Sequence, residues 1–279
     1  MLHVLTVHHK DAAWIAPQAE RFDRFLPDDA MRWAVLDGID PRYHARFDHV
    51  VEIDANHPAR LNEMARLVSE QADASDVLVF VDGDAFPLQP VEPLVATLAD
   101  LPLIAVRRDE NLGDPQPHPC FAITTVGFWN DVGGDWQRGY EWRNTAGELV
   151  TDSGGNLLGA LEARHARWRP LTRRNTFDLH PVWFAVYGDD EFGAVAYHHG
   201  AGFRDRQGRA DGAPVDLPMS KVTSLVYKRV PGFETVHAAQ LRWRQARWER
   251  SVRAEQDRNA QAVFDDLVHN DDFYRRFLS

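Results

Sequence analysis

The clearest pattern along the chain is an uninterrupted apolar run, Val77-Leu78-Val79-Phe80-Val81, that ends in Asp82-Gly83-Asp84. A run of this length, rich in β-branched residues, predicts a strand buried on both faces in the interior of a parallel sheet. The stretch before it alternates between strand and helix patterns. Leu2 to His8 predicts the first strand. Trp14, Ile15, Ala19, Phe22, Phe25 and Leu26 recur at helical spacing, with Pro17 near the start of the helix. Met31 to Leu36 predicts a second strand closed by an Asp37-Gly38 turn, and Val50 to Ile53 a short third one. Pro58 suits the first turn of a helix that runs to Gln71 and turns Leu61, Met64, Ala65, Leu67 and Val68 inward. The order strand, helix, strand, strand, helix, strand is a nucleotide-binding α/β layout, which by itself names no reaction.

Beyond Asp84 the pattern is more broken. A helix is predicted over Pro90 to Leu98 and a strand over Leu103 to Val106, followed by a long polar, proline-rich loop from Arg107 to Pro119. Phe121 to Trp129 reads as a strand passing into a helix at Asn130-Asp131. The aromatics that follow closely (Phe128, Trp129, Trp136, Tyr140, Trp142) fit either core packing or a platform for sugar rings. Asp152-Ser153-Gly154-Gly155 opens a helix with Leu157, Leu158 and Leu161 on one face, and Asp152 fits its cap or the turn before it. Trp168 to Leu171, Phe177 to Val186 and the run from Ala194 predict short strands, the last ending in His198-His199-Gly200. The stretch from Asp205 to Leu217 has the composition of a loop able to close over a ligand, and Glu234 to Leu278 predicts a helical tail. The expected division is a main domain over residues 1–230 and a C-terminal helical extension over 231–279.

The chemistry concentrates at Asp82 and Asp84. Carboxylates at the carboxyl end of a central strand sit where open α/β sheets place ligands, and Gly83 lets the backbone turn and approach one. Two crowded negative charges are costly unless a cation or hydrogen-bond donors compensate them. A hard divalent cation that also holds a phosphate group is the simplest compensation.

The apolar strand, Asp82-Gly83-Asp84 and the short apolar exit after it resemble the Asp-x-Asp motif of GT-A fold glycosyltransferases. The resemblance implies a Rossmann-like α/β fold with a mixed central sheet flanked by helices. It implies a metal-dependent glycosyltransferase that takes a sugar from a nucleotide-diphosphate donor, a UDP- or GDP-sugar, and passes it to an acceptor that the sequence does not identify. The ion would be Mn²⁺ or Mg²⁺, with Asp84 as its main ligand and Asp82 reaching the ribose or the metal. Thr6, Val7 and His8, at the end of the first strand, would contact the nucleoside. Asp152, at a helix start well after the Asp-x-Asp strand, would face the sugar or acceptor as the catalytic carboxylate. His198 or His199 would complete the metal site. Strand alternation turns their rings to opposite faces, so only one can do so, and His198 is favoured. His199 to Gly202 resembles the His-x-x-Gly pattern of glycogenin-like and galactosyltransferase-like members, in which a lysine six residues after the histidine holds the diphosphate. Here Asp205 takes that place and Arg204, one residue earlier, is the basic candidate.

Composition narrows the field. At 279 residues, with 44% hydrophobic and 26% charged positions, the chain can build a sizeable core. A net charge of -11 argues against nucleic acid as a partner, though not against a nucleotide. Cys120 is the only cysteine, so no internal disulfide forms, and a small buried residue is expected there. No leader or membrane-spanning run is visible, and a reducing cytoplasm is the default expectation. Three other functions fit parts of the pattern. A haloacid-dehalogenase-like phosphatase also carries a strand ending in Asp-x-Asp, but near its N-terminus and with a different continuation. A nucleotidyltransferase shares the layout but uses a glycine-rich basic loop where His8-His9-Lys10-Asp11 stands. A non-catalytic nucleotide-sugar binder would use the same scaffold.

Overall fold

The computed structural model describes residues 1–175, 184–200 and 258–278. Through the strand that ends at Asp82 its elements follow the predicted order. The first half holds β1 (Leu2–His9), α1 (Ile15–Phe25), β2 (Met31–Asp37), β3 (His49–Val50), α2 (His57–Ser69) and β4 (Val77–Asp82). Next come β5 (Ala85–Pro87), α3 (Glu92–Val95, continued as a 3₁₀ turn), β6 (Leu103–Val106), β7 (His118–Thr125) and α4 (Val126–Val132). The last described elements are β8 (Trp142–Arg143), β9 (Leu149–Val150), α5 (Gly155–Ala163), β10 (Arg169–Arg173), β11 (Ala185–Asp189) and β12 (Gly193–His198). A small β8–β9 ribbon stands apart from a ten-stranded sheet ordered β3-β2-β1-β4-β7-β6-β10-β11-β12-β5. This is the mixed central sheet flanked by helices that the resemblance implies.

The sheet has two characters. From β3 to β4 all pairings are parallel. β7 then enters antiparallel between β4 and β6, and β10, β11, β12 and β5 finish the sheet mostly antiparallel. β4 is buried on both faces, as its composition demands, but it ends the parallel run instead of lying within it, because β7 pairs with it antiparallel. Val77, Val79 and Val81 pack with Phe22, Val91 and Leu94 on one side. Leu78 and Phe80 pack with Leu61, Met64, Trp129 and Trp136 on the other. At about 1.5–3 kcal/mol per buried side chain, these five contribute on the order of 10 kcal/mol before the entropy of ordering is counted. The dense aromatics are largely core: Trp136 is fully buried, and its ring lies 5.1 Å from Phe80 and 5.3 Å from Trp129. Tyr140 is the exposed member of the group.

Two local differences from the sequence pattern have physical reasons. The strand expected over Phe121 to Trp129 stops at Thr125, whose hydroxyl accepts from the Phe128 amide and caps α4. The apolar exit Ala85-Phe86-Pro87 is itself a strand, pairing antiparallel with β12. A proline is tolerated there because β5 is an edge strand.

The chain divides into two compact units, Met1–Asp205 with Asp271–Ser279, and Arg206–Asn270. In the first, Phe273 packs 4.9 Å from the ring of Tyr197 and 6.2 Å from that of Phe86, backing the β5–β12 pair, while Arg21 and Arg24 both pair with Asp271. In the second, the described residues include a helix over 258–267 that buries Ala260, Val263 and Leu267 along one stripe. The rest of the expected helical tail lies outside the described residues. No helix among the described residues is long and apolar enough to cross a membrane.

Candidate metal centre

The turn Asp82-Gly83-Asp84 links the middle of the sheet to its far edge. β4 delivers Asp82 at its carboxyl end, and two residues later β5 begins its pairing with β12. The register sets Ala85 opposite His198, and the His199 amide donates to the Asp84 carbonyl at 3.0 Å. The antiparallel half of the sheet therefore curls back onto the carboxyl end of β4 and brings a histidine with it. One oxygen of Asp82, one of Asp84 and one nitrogen of His198 all lie within 4.8 Å of one another. His198 Nε2 is 3.5 Å from Asp82 Oδ2 and 3.4 Å from Asp84 Oδ1.

His199 faces the other way, as alternation requires. Its Nδ1 is 2.7 Å from the Tyr197 hydroxyl, and its ring packs between Trp14 and Phe184. Of the two histidines, only His198 belongs to the cluster of metal-ligating atoms found among the described residues.

The donor set suits a divalent cation. Two oxygens and an imidazole nitrogen at ~2.1 Å from one ion stand about 3.0–3.5 Å apart when the angles between them are those of octahedral or tetrahedral coordination. The two separations from His198, 3.5 and 3.4 Å, fall at the upper end of that range. Asp82 Oδ1 is buried and makes no hydrogen bond of good geometry, although His57 Nε2 lies 3.0 Å away at ion-pair distance. His57 was not apparent from the sequence, where His57-Pro58 signals only a helix start. Burial pushes the His198 imidazole down, but Cys120 and Asp84 outweigh burial and raise it well above the ordinary histidine value. The Asp84 carboxylate is the part of that balance with a real charge, since burial also pushes the Cys120 thiol up and keeps it neutral.

Gly83 is required by its neighbours. A Cβ there would stand 2.5 Å from the Val7 carbonyl oxygen and 2.9 Å from His8 Nδ1. Beneath the turn lies Gln18 of α1, fully buried, which the sequence pattern did not single out. Its amide nitrogen donates to the carbonyls of Asp82 at 2.8 Å and Ala85 at 2.7 Å. Its oxygen accepts from His8 Nε2 at 3.0 Å and from the Thr6 hydroxyl at 3.3 Å. Thr6, Val7 and His8 are all buried, so their side chains face the interior at this end of β1. Burial pushes the His8 imidazole down to about 4, with Gln18 and Asp84 opposing only in part.

Asp152 lies two residues before Gly154, the left-handed residue that caps α5. Its Oδ2 accepts from Arg108 at 2.6 Å and its Oδ1 from Arg138 at 3.4 Å. Arg108 also reaches Asp114 at 3.3 Å. Asp152 is not among the clustered ligand atoms of Asp82, Asp84 and His198. Arg107 is occupied by Asp109. Arg204, the expected diphosphate partner, lies outside the described residues, as do Phe177, Asp178, His180 and Trp183.

No protein-family model matches the chain, and no curated protein matches its sequence. Solved structures do resemble it. The galactosyltransferase LgtC in complex with donor and acceptor sugar analogs is 14% identical over 57% of this chain and 70% of its own, with a TM-score of 0.35. The mannosyltransferase PcManGT from Pyrobaculum calidifontis in complex with GDP-Man and Mn²⁺ is 13% identical over 61% of this chain and 54% of its own, with a TM-score of 0.41. Residues 1–349 of S. aureus TarS are 14% identical over 61% of this chain and 57% of their own, with a TM-score of 0.39. The chain thus spans little more than half the length of the last two.

Proposed function

We propose that this chain is a GT-A glycosyltransferase that uses a divalent cation, Mn²⁺ or Mg²⁺, to hold a UDP- or GDP-sugar and transfers the sugar to an acceptor hydroxyl. The observation that carries the reading is the convergence of Asp82, Asp84 and His198 at the carboxyl end of β4. They stand there beside the point where the parallel half of the sheet gives way to the antiparallel half. Ligand sites of α/β sheets form at such carboxyl ends.

In this reading Asp84 and His198 hold the ion, and Asp82 holds the ion or the ribose. When bound, the ion supplies Lewis-acid stabilisation of the charge that develops on the departing diphosphate. The buried β5–β12 pairing keeps the ligands in fixed relation, so no reorganisation is required of them. Asp152 faces the reacting sugar or the acceptor, with Arg108 holding its carboxylate in place.

The test is a thermal-shift panel of nucleoside diphosphates and sugar donors with and without Mn²⁺. A donor supplied at ~100 Kd stabilises the native chain by about 2.7 kcal/mol. Asp84→Ala is expected to remove the metal-dependent part of that shift, and a full shift in this variant would sink the metal reading. Asp152→Asn is expected to keep donor binding and lose transfer by roughly 100-fold or more. Undiminished turnover would return Asp152 to a structural role.

A further inference from the structure

We infer that Gln18 is the positioning residue that sets the spacing between Asp82 and Asp84, so that metal affinity depends on a buried amide that never touches the ion. The inference rests on reading the Asp82, Asp84 and His198 cluster as a metal site.

Three observations lead to it. The inward face of α1 is otherwise largely apolar, with Ile15, Ala19 and Phe22 buried beside Gln18. Placing an amide there costs free energy unless every polar atom is paired. Here every one is, and the partners are not distributed at random. Both donors go to the carbonyls of Asp82 and Ala85, which bracket Gly83 and Asp84. The acceptor goes to His8 and Thr6 on β1. The orientation of the amide is therefore fixed: flipped, its oxygen would face two carbonyl oxygens and its nitrogen would face the donor of His8.

An apolar side chain of similar volume could hold α1 against the sheet equally well. What the amide alone provides is a clamp on both ends of the two-residue turn. That clamp matters because β4 and β5 diverge at this point, β4 pairing with β1 and β7 and β5 with β12. Gln18 ties the two strands where no ladder does. Ligand side chains function only when their supports hold them to a fraction of an ångström, and loss of such outer partners commonly weakens metal binding 10–100-fold.

The experiment is a Mn²⁺ titration of the full chain followed by electron paramagnetic resonance of the free ion, alongside metal-free melting. Gln18→Met should weaken Mn²⁺ binding 10–100-fold. Phe22→Leu, one turn along the same helix, should lower the melting temperature and leave Mn²⁺ affinity unchanged. If Gln18→Met does not fold, Thr6→Val, which removes one bond to the amide oxygen, should weaken binding by roughly five-fold, the equivalent of one hydrogen bond. Unchanged affinity in Gln18→Met, or in Thr6→Val where that variant stands in, overturns the inference. So does an equal loss in Phe22→Leu, which would reduce Gln18 to general stability. A native chain that binds no Mn²⁺ removes the metal reading itself and this inference with it.

Discussion

Two stretches of this chain pair aspartates with glycines, and the structure treats their charge in opposite ways. At Asp152-Ser153-Gly154-Gly155 the carboxylate meets two guanidinium groups, Arg108 and Arg138. At Asp82-Gly83-Asp84, two imidazoles, His57 and His198, stand at ion-pair distance. A guanidinium is permanently charged, and its carboxylate needs nothing more. An imidazole is a cation only while protonated, and its lone pair is a ligand once it is not. The first stretch is held by permanent cations, whereas His57 and His198 at the second carry charge only while protonated and can ligate once they are not. Spacing of acidic residues alone does not separate these cases; their partners do.

The sharpest way to break the contrast is to remove Arg108. It is mostly buried and bridges Asp114 and Asp152, so Arg108→Met leaves two carboxylates without their shared cation. Removing one partner from a buried pair typically costs about 3–5 kcal/mol. The expected result is a large fall in melting temperature that added Mn²⁺ does not restore. A fall that Mn²⁺ does restore would mean that Asp152 belongs to the metal cluster after all.

A second effect, about 3 kcal/mol at most, concerns the floor of the metal turn. His8 is fully buried, and its imidazole is depressed from 6.5 to about 4. As pH falls below 6.5 the unfolded chain takes up this proton and the folded chain does not. Stability that is present in full above 6.5 is therefore lost progressively down to about 4. Chemical denaturation at pH 7 and pH 4.5 should show the loss in the native chain and a smaller one in His8→Gln. Equal pH dependence in the two would remove His8 from the account.

How far the site could be read in advance follows from the same local and non-local division. β4 and its acidic tip were legible because five apolar residues and Asp-Gly-Asp are contiguous. α2 was legible because Pro58 marks its start, although nothing local reveals that His57 reaches Asp82. β5 was not legible as a strand: three residues with a proline carry no period, and its partner Gly193–His198 follows more than a hundred positions later. Alternation along β12 did predict that His198 and His199 part company, because that property is local. Gln18 left a faint signal. A glutamine stands on the inward face of α1 between Ile15 and Phe22, and a polar residue on an apolar stripe invites the question of its partners. The answer, the carbonyls of Asp82 and Ala85, lies more than sixty residues away.

The smallest expected effect sharpens the comparison furthest, because it asks which arginine matters. Arg138 is 69% exposed and approaches Asp152 at 3.4 Å, where Arg108 is 17% exposed and approaches at 2.6 Å. Solvent screens the first contact, and exposed pairs of this kind contribute about 0–1 kcal/mol. Arg138→Ala should therefore change melting within that range. Whatever change appears should shrink as salt is raised to about 1 M, where screening acts within ~3 Å. The Arg108→Met effect should persist in the same salt, since a buried pair is shielded from counterions. If instead the two substitutions cost alike, Asp152 is neutralised from the surface.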